Sequence, residues 1–347
     1  MLLADLGAEV LRIERAGGNG WPNPILDRGR HTVEINIRSR EGRDRVLALI
    51  DRADVLIEGY RPGVMERLGL GPDEALARNP RLIYGRMTGW GQTGPLSQTA
   101  GHDINYIAVT GALAAIVDGD GRPIPPLSLV GDFGGGSLYL ALGVVSALFE
   151  RTRSGRGQVI DAAIVDGVAS LMAIFYGLAT TGQMSLGSQD GILTGAAPFY
   201  RSYKCKDGRY VAVGPIEAKF YEELLDLIEA PADMREGQYD ARDWRRRSEV
   251  MEAIFLERTQ AQWCEVLEKT DACFAPVLTW DEAPDHPHMA ARGIYRDIDG
   301  FMHPMPAPRL SRTPGKVGPG GNGEELERRW LATGTANGST DSASVAI

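Results

Sequence analysis

Short apolar β-type runs alternate with helical segments through the first third of the chain, and that alternation leaves few architectures open. Strands are expected at Ala8–Glu14, Thr32–Asn36, Val55–Glu58 and Leu82–Arg86. A helix near Arg40–Arg52 separates the second and third, with Ser39 placed to cap it and Val46, Leu47, Leu49 and Ile50 on its apolar face. Pro72 suits the first turn of another helix, and Asn79-Pro80 ends it. Strands spaced by helices pair in parallel, so the expected fold is α/β, a Rossmann-like parallel sheet. The opening is unusual. Met1–Leu6 reads as a helix closed by Gly7 with no strand before it, so a central first strand is expected to be missing and its neighbours' edges exposed.

From Ser137 to Phe149, and again from Ile160 to Ala179, apolar residues occur nearly all round the helix, as in helices buried on most sides. The longest apolar stretches fall short of the ~20 residues that span a bilayer. Residues 181–197, rich in Gly, Ser and Thr, read as a linker between a large domain (1–180) and a smaller α+β domain (198–280). The small domain should hold a hairpin of Phe199–Cys205 with Arg209–Val213, then helices at Glu217–Leu227, Trp244–Leu256 and Gln260–Glu268. Thr259 and Gln262 form a capping box for the last of these, and Phe274–Leu278 adds a strand. Residues 281–330 should return to the large domain, leaving 331–347 as a disordered tail.

The net charge of −9 argues against nucleic acid or an anionic membrane as the main partner. Cys205, Cys264 and Cys273 form no C-x-x-C pair, and Asp5 and Glu9 interrupt any signal-peptide core, so a cytoplasmic chain is expected. Of five histidines, His286, His288 and His303 fit a proline-punctuated surface loop better than a metal site, and His31 fits the surface. His102 stands at a loop-to-helix junction in GHDINY. Its ring either faces a cleft, where it can titrate near neutrality, or packs behind a cap made by Asp103. The chain has 43 glycines, well above the usual ~7%, and one cluster, Gly131-Asp132-Phe133-Gly134-Gly135-Gly136, precedes an apolar helix. Such a loop lets backbone approach a ligand, and Asp132 in it is either a helix cap or a catalytic carboxylate. Arg12, Arg15, Arg61 and Arg86 fall at strand ends and in loops, the edge where doubly wound sheets bind ligands.

The segments ADLGAEVLRIER, ADVLIEGYRPGVMERLGLG, RMTGWGQTGP, GHDINY, PPLSLVGDFGGG, GQVIDAAIVDG and DGRYVAVGPIE occur in that order. Together they resemble the class III CoA-transferase (CaiB/BaiF) family, and within it the α-methylacyl-CoA racemases, from residue 1 to about Pro308. The resemblance implies a Rossmann-like large domain and a small domain, with two subunits interlocked as a homodimer. It implies that Arg15 and Arg61 hold coenzyme A, with Arg86, Gly134, Gly135 and Tyr200 at the same ligand. His102 and Asp132 would be the catalytic pair, Glu217 would support the histidine, and Asp103 would be a further active-site group.

The implied reaction interconverts (R)- and (S)-2-methylacyl-CoA by two-base proton transfer through an enolate. Amide groups at Asp132 and the following glycines would meet the enolate oxygen. No metal or redox cofactor is expected, coenzyme A entering as part of the substrate. A CoA-transferase with Asp132 as nucleophile is the alternative, and His102 favours racemisation over it. An inactive CoA-binding protein is a further alternative, raised by the missing strand. Ser128 stands where the racemases commonly carry asparagine.

Overall fold

Consecutive strand residues face opposite sides of a sheet, and here both sides are apolar: Val10 and Leu11, Val55 and Leu56, Ile83 and Tyr84 are all buried. Strands of that kind need helices on both faces. The computed structural model, which describes every residue except 19–20, 119, 184–190, 333–343 and 347, has that form.

The chain runs α1 (Leu2–Asp5), β1 (Glu9–Glu14), β2 (Arg30–Glu34), α2 (Arg40–Ile50), β3 (Val55–Glu58), α3 (Val64–Arg67), α4 (Pro72–Arg78), β4 (Ile83–Thr88), α5 (Asp103–Val109) and α6 (Ala112–Ala115). A π-helical turn, Leu129–Ser137, runs directly into α7 (Leu138–Ser154), followed by β5 (Gln158–Ala163), α8 (Ile164–Leu171) and α9 (Ala173–Thr180). Next come β6 (Arg201–Lys204), β7 (Tyr210–Val213), α10 (Ala218–Leu227), α11 (Trp244–Phe255), α12 (Gln260–Leu267) and β8 (Phe274–Val277). The last elements are α13 (Pro287–Arg292), the hairpin β9 (Tyr295–Ile298) and β10 (Phe301–Pro304), β11 (Gly321–Asn322), α14 (Gly323–Ala332) and β12 (Ser344–Ala346).

Two compact units result. One comprises Met1–Thr110, Pro126–Leu171 and His288–Ile347; the other comprises Gly111–Pro125 and Met172–Pro287. The boundaries expected at 180 and 281 therefore move to 171 and 287, and residues 111–125 join the second unit. Of the expected linker 181–197, residues 184–190 lie outside the described residues. The second unit is α+β: β6-β7-β8 form an antiparallel sheet, and Phe199, Tyr203, Tyr221, Phe255 and Trp263 fill its core beneath α10, α11 and α12.

The first unit holds a seven-stranded sheet in the order β11-β2-β1-β12-β3-β4-β5, parallel throughout. Leu11, Val33, Leu56 and Tyr84 pack on one face with α2, α4 and α14; Val10, Val55 and Ile83 pack on the other with Leu140, Val144 and Ala147 of α7. Ser39 caps α2 as expected, its Oγ accepting the Gly42 N–H at 3.0 Å. His303, expected on the surface, is buried beside Arg28. That arginine makes a two-pronged pair with Asp5 at 3.0 and 2.6 Å, which ties α1 to the start of the sheet.

The centre of this sheet differs from expectation. The position between β1 and β3 is occupied by the C-terminal β12: Val10 pairs with Val345, which pairs in turn with Val55. Part of the tail expected to be disordered is thus a strand; Leu331 and Ala332 complete α14, and 333–343 and 347 lie outside the described residues. The reason lies in the backbone, since buried N–H and C=O groups on β1 and β3 require partners. An apolar cavity of about 970 Å³ is lined by Val10 and Ile13 of β1, Ile57 of β3 and Leu140 of α7 among others.

The run 160–179 also resolves differently. Residues 160–163 belong to β5, and Met172 separates α8 from α9. An unbroken apolar run does not by itself distinguish a buried strand from a buried helix. Nor is α7 buried all round, for Leu138, Leu142, Val145 and Phe149 are exposed. With the π-helical turn it forms one 26-residue helix, long and apolar enough by composition to cross a membrane, which corrects the expectation that no stretch was. Its inner face lies on the sheet instead.

Removing residues 333–347 takes out β12. The expected result is a loss of about 2 kcal/mol or more in unfolding free energy, with faster amide exchange confined first to β1 and β3. An unchanged urea midpoint and unchanged exchange would show that the sheet does not use this strand.

Candidate functional site

The glycine cluster expected as a loop is the π-helical turn, and the absence of side chains explains where it lies. A Cβ on Gly135 would stand 2.6 Å from Val168 Cγ2, and one on Gly167 only 1.8 Å from the Gly135 carbonyl oxygen. The turn and α8 meet backbone to backbone. Gly134 and Gly135, expected to approach a ligand, are therefore used for helix contact: a Cβ on Gly134 would meet the Leu129 carbonyl at 2.9 Å and the Leu171 side chain at 3.4 Å. This packing carries Asp132 on the turn in a half-buried position.

The other half of the site is the head of α5. His102 caps this helix and is exposed; its backbone N–H donates to Asn105 Oδ1 at 3.0 Å. Asp103, Tyr106 and Ile107, spaced for one helical face, are buried. The alternative of an Asp103 cap with His102 packed behind it fails: His102 itself holds the cap position, Asp103 packs inward and the imidazole stays accessible. The Asp103 carboxylate accepts the Asp132 backbone N–H through Oδ2 at 2.7 Å. Tyr106 donates its hydroxyl to the Gly101 carbonyl and meets the Trp90 ring edge-on at 4.8 Å.

Electrostatics in this cluster centre on Asp132. Burial pushes its carboxyl above the usual range and the neighbouring Asp103 charge adds to that; a hydrogen bond from Ser128 and the charge of His102 pull it back down. Ser128 thus acts directly on the Asp132 carboxylate. Tyr106 is pushed upward by its burial and then by Asp132. One part of the expectation fails: the Asp132 amide is taken by Asp103, and the next amide, of Phe133, donates to the Ser128 carbonyl at 3.1 Å. Neither is available to an enolate oxygen.

The remaining expected residues divide. Arg15 and Arg61 are exposed just beyond the carboxyl ends of β1 and β3, Arg15 Nε donating to the Gly18 carbonyl at 3.2 Å. Arg86 is 7% exposed and already committed: Nε donates to Glu58 Oε1 at 2.9 Å and Nη1 to Glu66 Oε1 at 2.8 Å. In this structure it serves as a structural cation between two carboxylates. Glu217 is exposed at the head of α10 and Tyr200 precedes β6, both in the second unit. Among the described residues no group of three or more His, Cys, Asp or Glu is placed to hold a metal ion. Tyr106 was given no role from sequence, although its i+3 spacing from Asp103 marks it as sharing that buried face.

Residues 1–320 match the family model described as CoA-transferase family III. The chain is 44% identical over 315 residues to the α-methylacyl-CoA racemase of Mus musculus and 41% identical to that of Homo sapiens, in each case covering 90% of this chain and 82% of the relative. A solved CaiB/BaiF family protein from Brucella suis superposes with a TM-score of 0.78 at 25% identity, over 95% of this chain and 93% of that one.

Replacing Arg86 by alanine strands Glu58 in the interior without its partner, a change that typically costs about 3–5 kcal/mol. Urea unfolding should therefore show a large stability loss. A variant with the wild-type midpoint and weakened ligand binding would instead place Arg86 at the binding surface.

Proposed function

The chain belongs to CoA-transferase family III, and on that footing we propose that His102 and Asp132 are the two bases of an α-methylacyl-CoA racemase. The observation that carries this reading is their arrangement: an accessible imidazole at the head of α5, adjacent in sequence to the carboxylate that holds the turn of Asp132. Identity of 44% and 41% to proteins named for that activity supports it.

The chemistry follows from the acidity of the α-carbon. The proton beside a thioester is weakly acidic, and inversion requires its removal from one face and delivery to the other. In one direction the Asp132 carboxylate abstracts while protonated His102 donates; in the reverse, neutral His102 abstracts and protonated Asp132 donates. A carboxyl held above the usual range is easier to use in both states. Asp132 acts as base only when ionised, so in that direction the rate should fall as pH drops through its raised pKa. The exposed guanidinium groups of Arg15 and Arg61 are assigned to the CoA phosphates, at the strand ends where parallel sheets bind ligands.

A homodimer belongs to the same reading. Leu138, Leu142, Val145 and Phe149 make one stripe along α7 and are 54, 62, 54 and 60% exposed. An apolar stripe of this extent on a soluble domain marks a surface that another chain covers.

Incubating one epimer of a 2-methylacyl-CoA in deuterated buffer should give α-deuterium and loss of optical purity with no acceptor acid present. Acyl-acceptor exchange without deuterium entry would instead establish the transferase. His102→Ala and Asp132→Asn should each lower racemisation about 1000-fold while the fold persists; a near wild-type rate in either ends the two-base assignment. Sedimentation should show a dimer that Leu142→Glu dissociates, and a monomeric wild-type protein would remove the dimer from the reading.

A further inference from the structure

The peptide that carries His102 and the turn that carries Asp132 are joined by one side chain. Asp103, next in sequence to His102 and 6% exposed, accepts the Asp132 backbone N–H at 2.7 Å. The approach depends on residue 131 having no side chain, since a Cβ there would stand 2.3 Å from the same carboxylate oxygen. The other oxygen, Oδ1, is buried without a hydrogen-bond partner among the described residues. The only hydrogen bond among them to this carboxylate therefore comes from the turn of Asp132.

We infer that Asp103 is a positioning residue that ties the turn of Asp132 to the head of α5 and so fixes the gap across which the two bases face one α-carbon. The inference rests on the two-base reading. Asp103 acts through Asp132 and has no contact with the reacting carbon in this role. Its charge has a second effect, because a neighbouring carboxylate disfavours ionisation of Asp132, the direction in which Asp132 is displaced. The titratable groups facing Asp132 are His102, Asp103 and Tyr106; α8, packed against the turn, presents Ile164 and Val168, which do not titrate.

Two substitutions separate tether from charge. Asp103→Ala removes both, and kcat should fall about 100-fold with the thioester KM within about threefold, as expected for displacement of a base by about an ångström. Asp103→Asn keeps an acceptor oxygen without the charge. Its kcat should stay within about tenfold of wild type, and the acid limb of the profile should move to lower pH. An unchanged kcat in the alanine variant, or an unmoved acid limb in the asparagine variant, overturns the inference.

A ¹³C NMR titration of the Asp132 carboxyl in wild type and Asp103→Asn reads the same coupling without turnover, and applies even if the alanine variant does not fold. The Asp132 midpoint should fall in the variant, and identical titrations overturn the inference. Failure of the wild type to incorporate α-deuterium strikes the racemase reading alone, leaving the titration to decide the role of Asp103.

Discussion

Parallel strands buried on both faces have no water to satisfy their backbone groups, and the large unit is organised around meeting that demand. Val10 and Leu11 of β1, like Val55 and Leu56 of β3, send adjacent side chains into two different cores. Neither strand can therefore turn a face or an inner edge to solvent without cost. The place between them is filled by a strand from the other end of the chain, in register with both. With the sheet closed, the carboxyl ends of β1 and β3 align, and Arg15 and Arg61 emerge beside them.

The site depends on a second close approach. Gly135 and Gly167 let the π-helical turn lie directly on α8, which presents Asp132 at the edge of the core rather than inside it. Gly131 leaves room for the Asp103 carboxylate near the start of that turn. Asp132 is thus held between two packing contacts and sits in a half-buried environment that favours its neutral form. Much of the glycine surplus near this site serves packing between backbones, whereas the sequence pointed to contact with a ligand.

The strands at residues 9–14, 55–58 and 83–88 and the helices α2, α4, α10, α11 and α12 were legible because their apolar periodicity and their punctuation agree. Ser39, Pro72 and the Thr259–Gln262 box mark helix starts by local chemistry, and local chemistry survives folding. Where the apolar signal was continuous, as in residues 160–179, it lost the power to separate strand from helix. The ion pairs of Arg86 were hidden for a related reason. Its type and its position at a strand end matched a ligand contact, while the acids that claim it, Glu58 and Glu66, are 28 and 20 positions away in the chain.

What the sequence determined by itself was the layered α/β plan, the smaller α+β unit and the candidate residues His102 and Asp132. Each of these rests on neighbours in the chain: periodicity, caps, and motifs in a fixed order. Only the tertiary structure decided that the C-terminal segment occupies the centre of the sheet, that the glycine cluster is helical, and that Arg86 pairs with Glu58 and Glu66. The same holds for the Asp103 carboxylate, which reaches across 29 residues to the Asp132 amide. Those outcomes turn on which buried donors and acceptors meet across long separations, and a linear pattern does not encode that pairing.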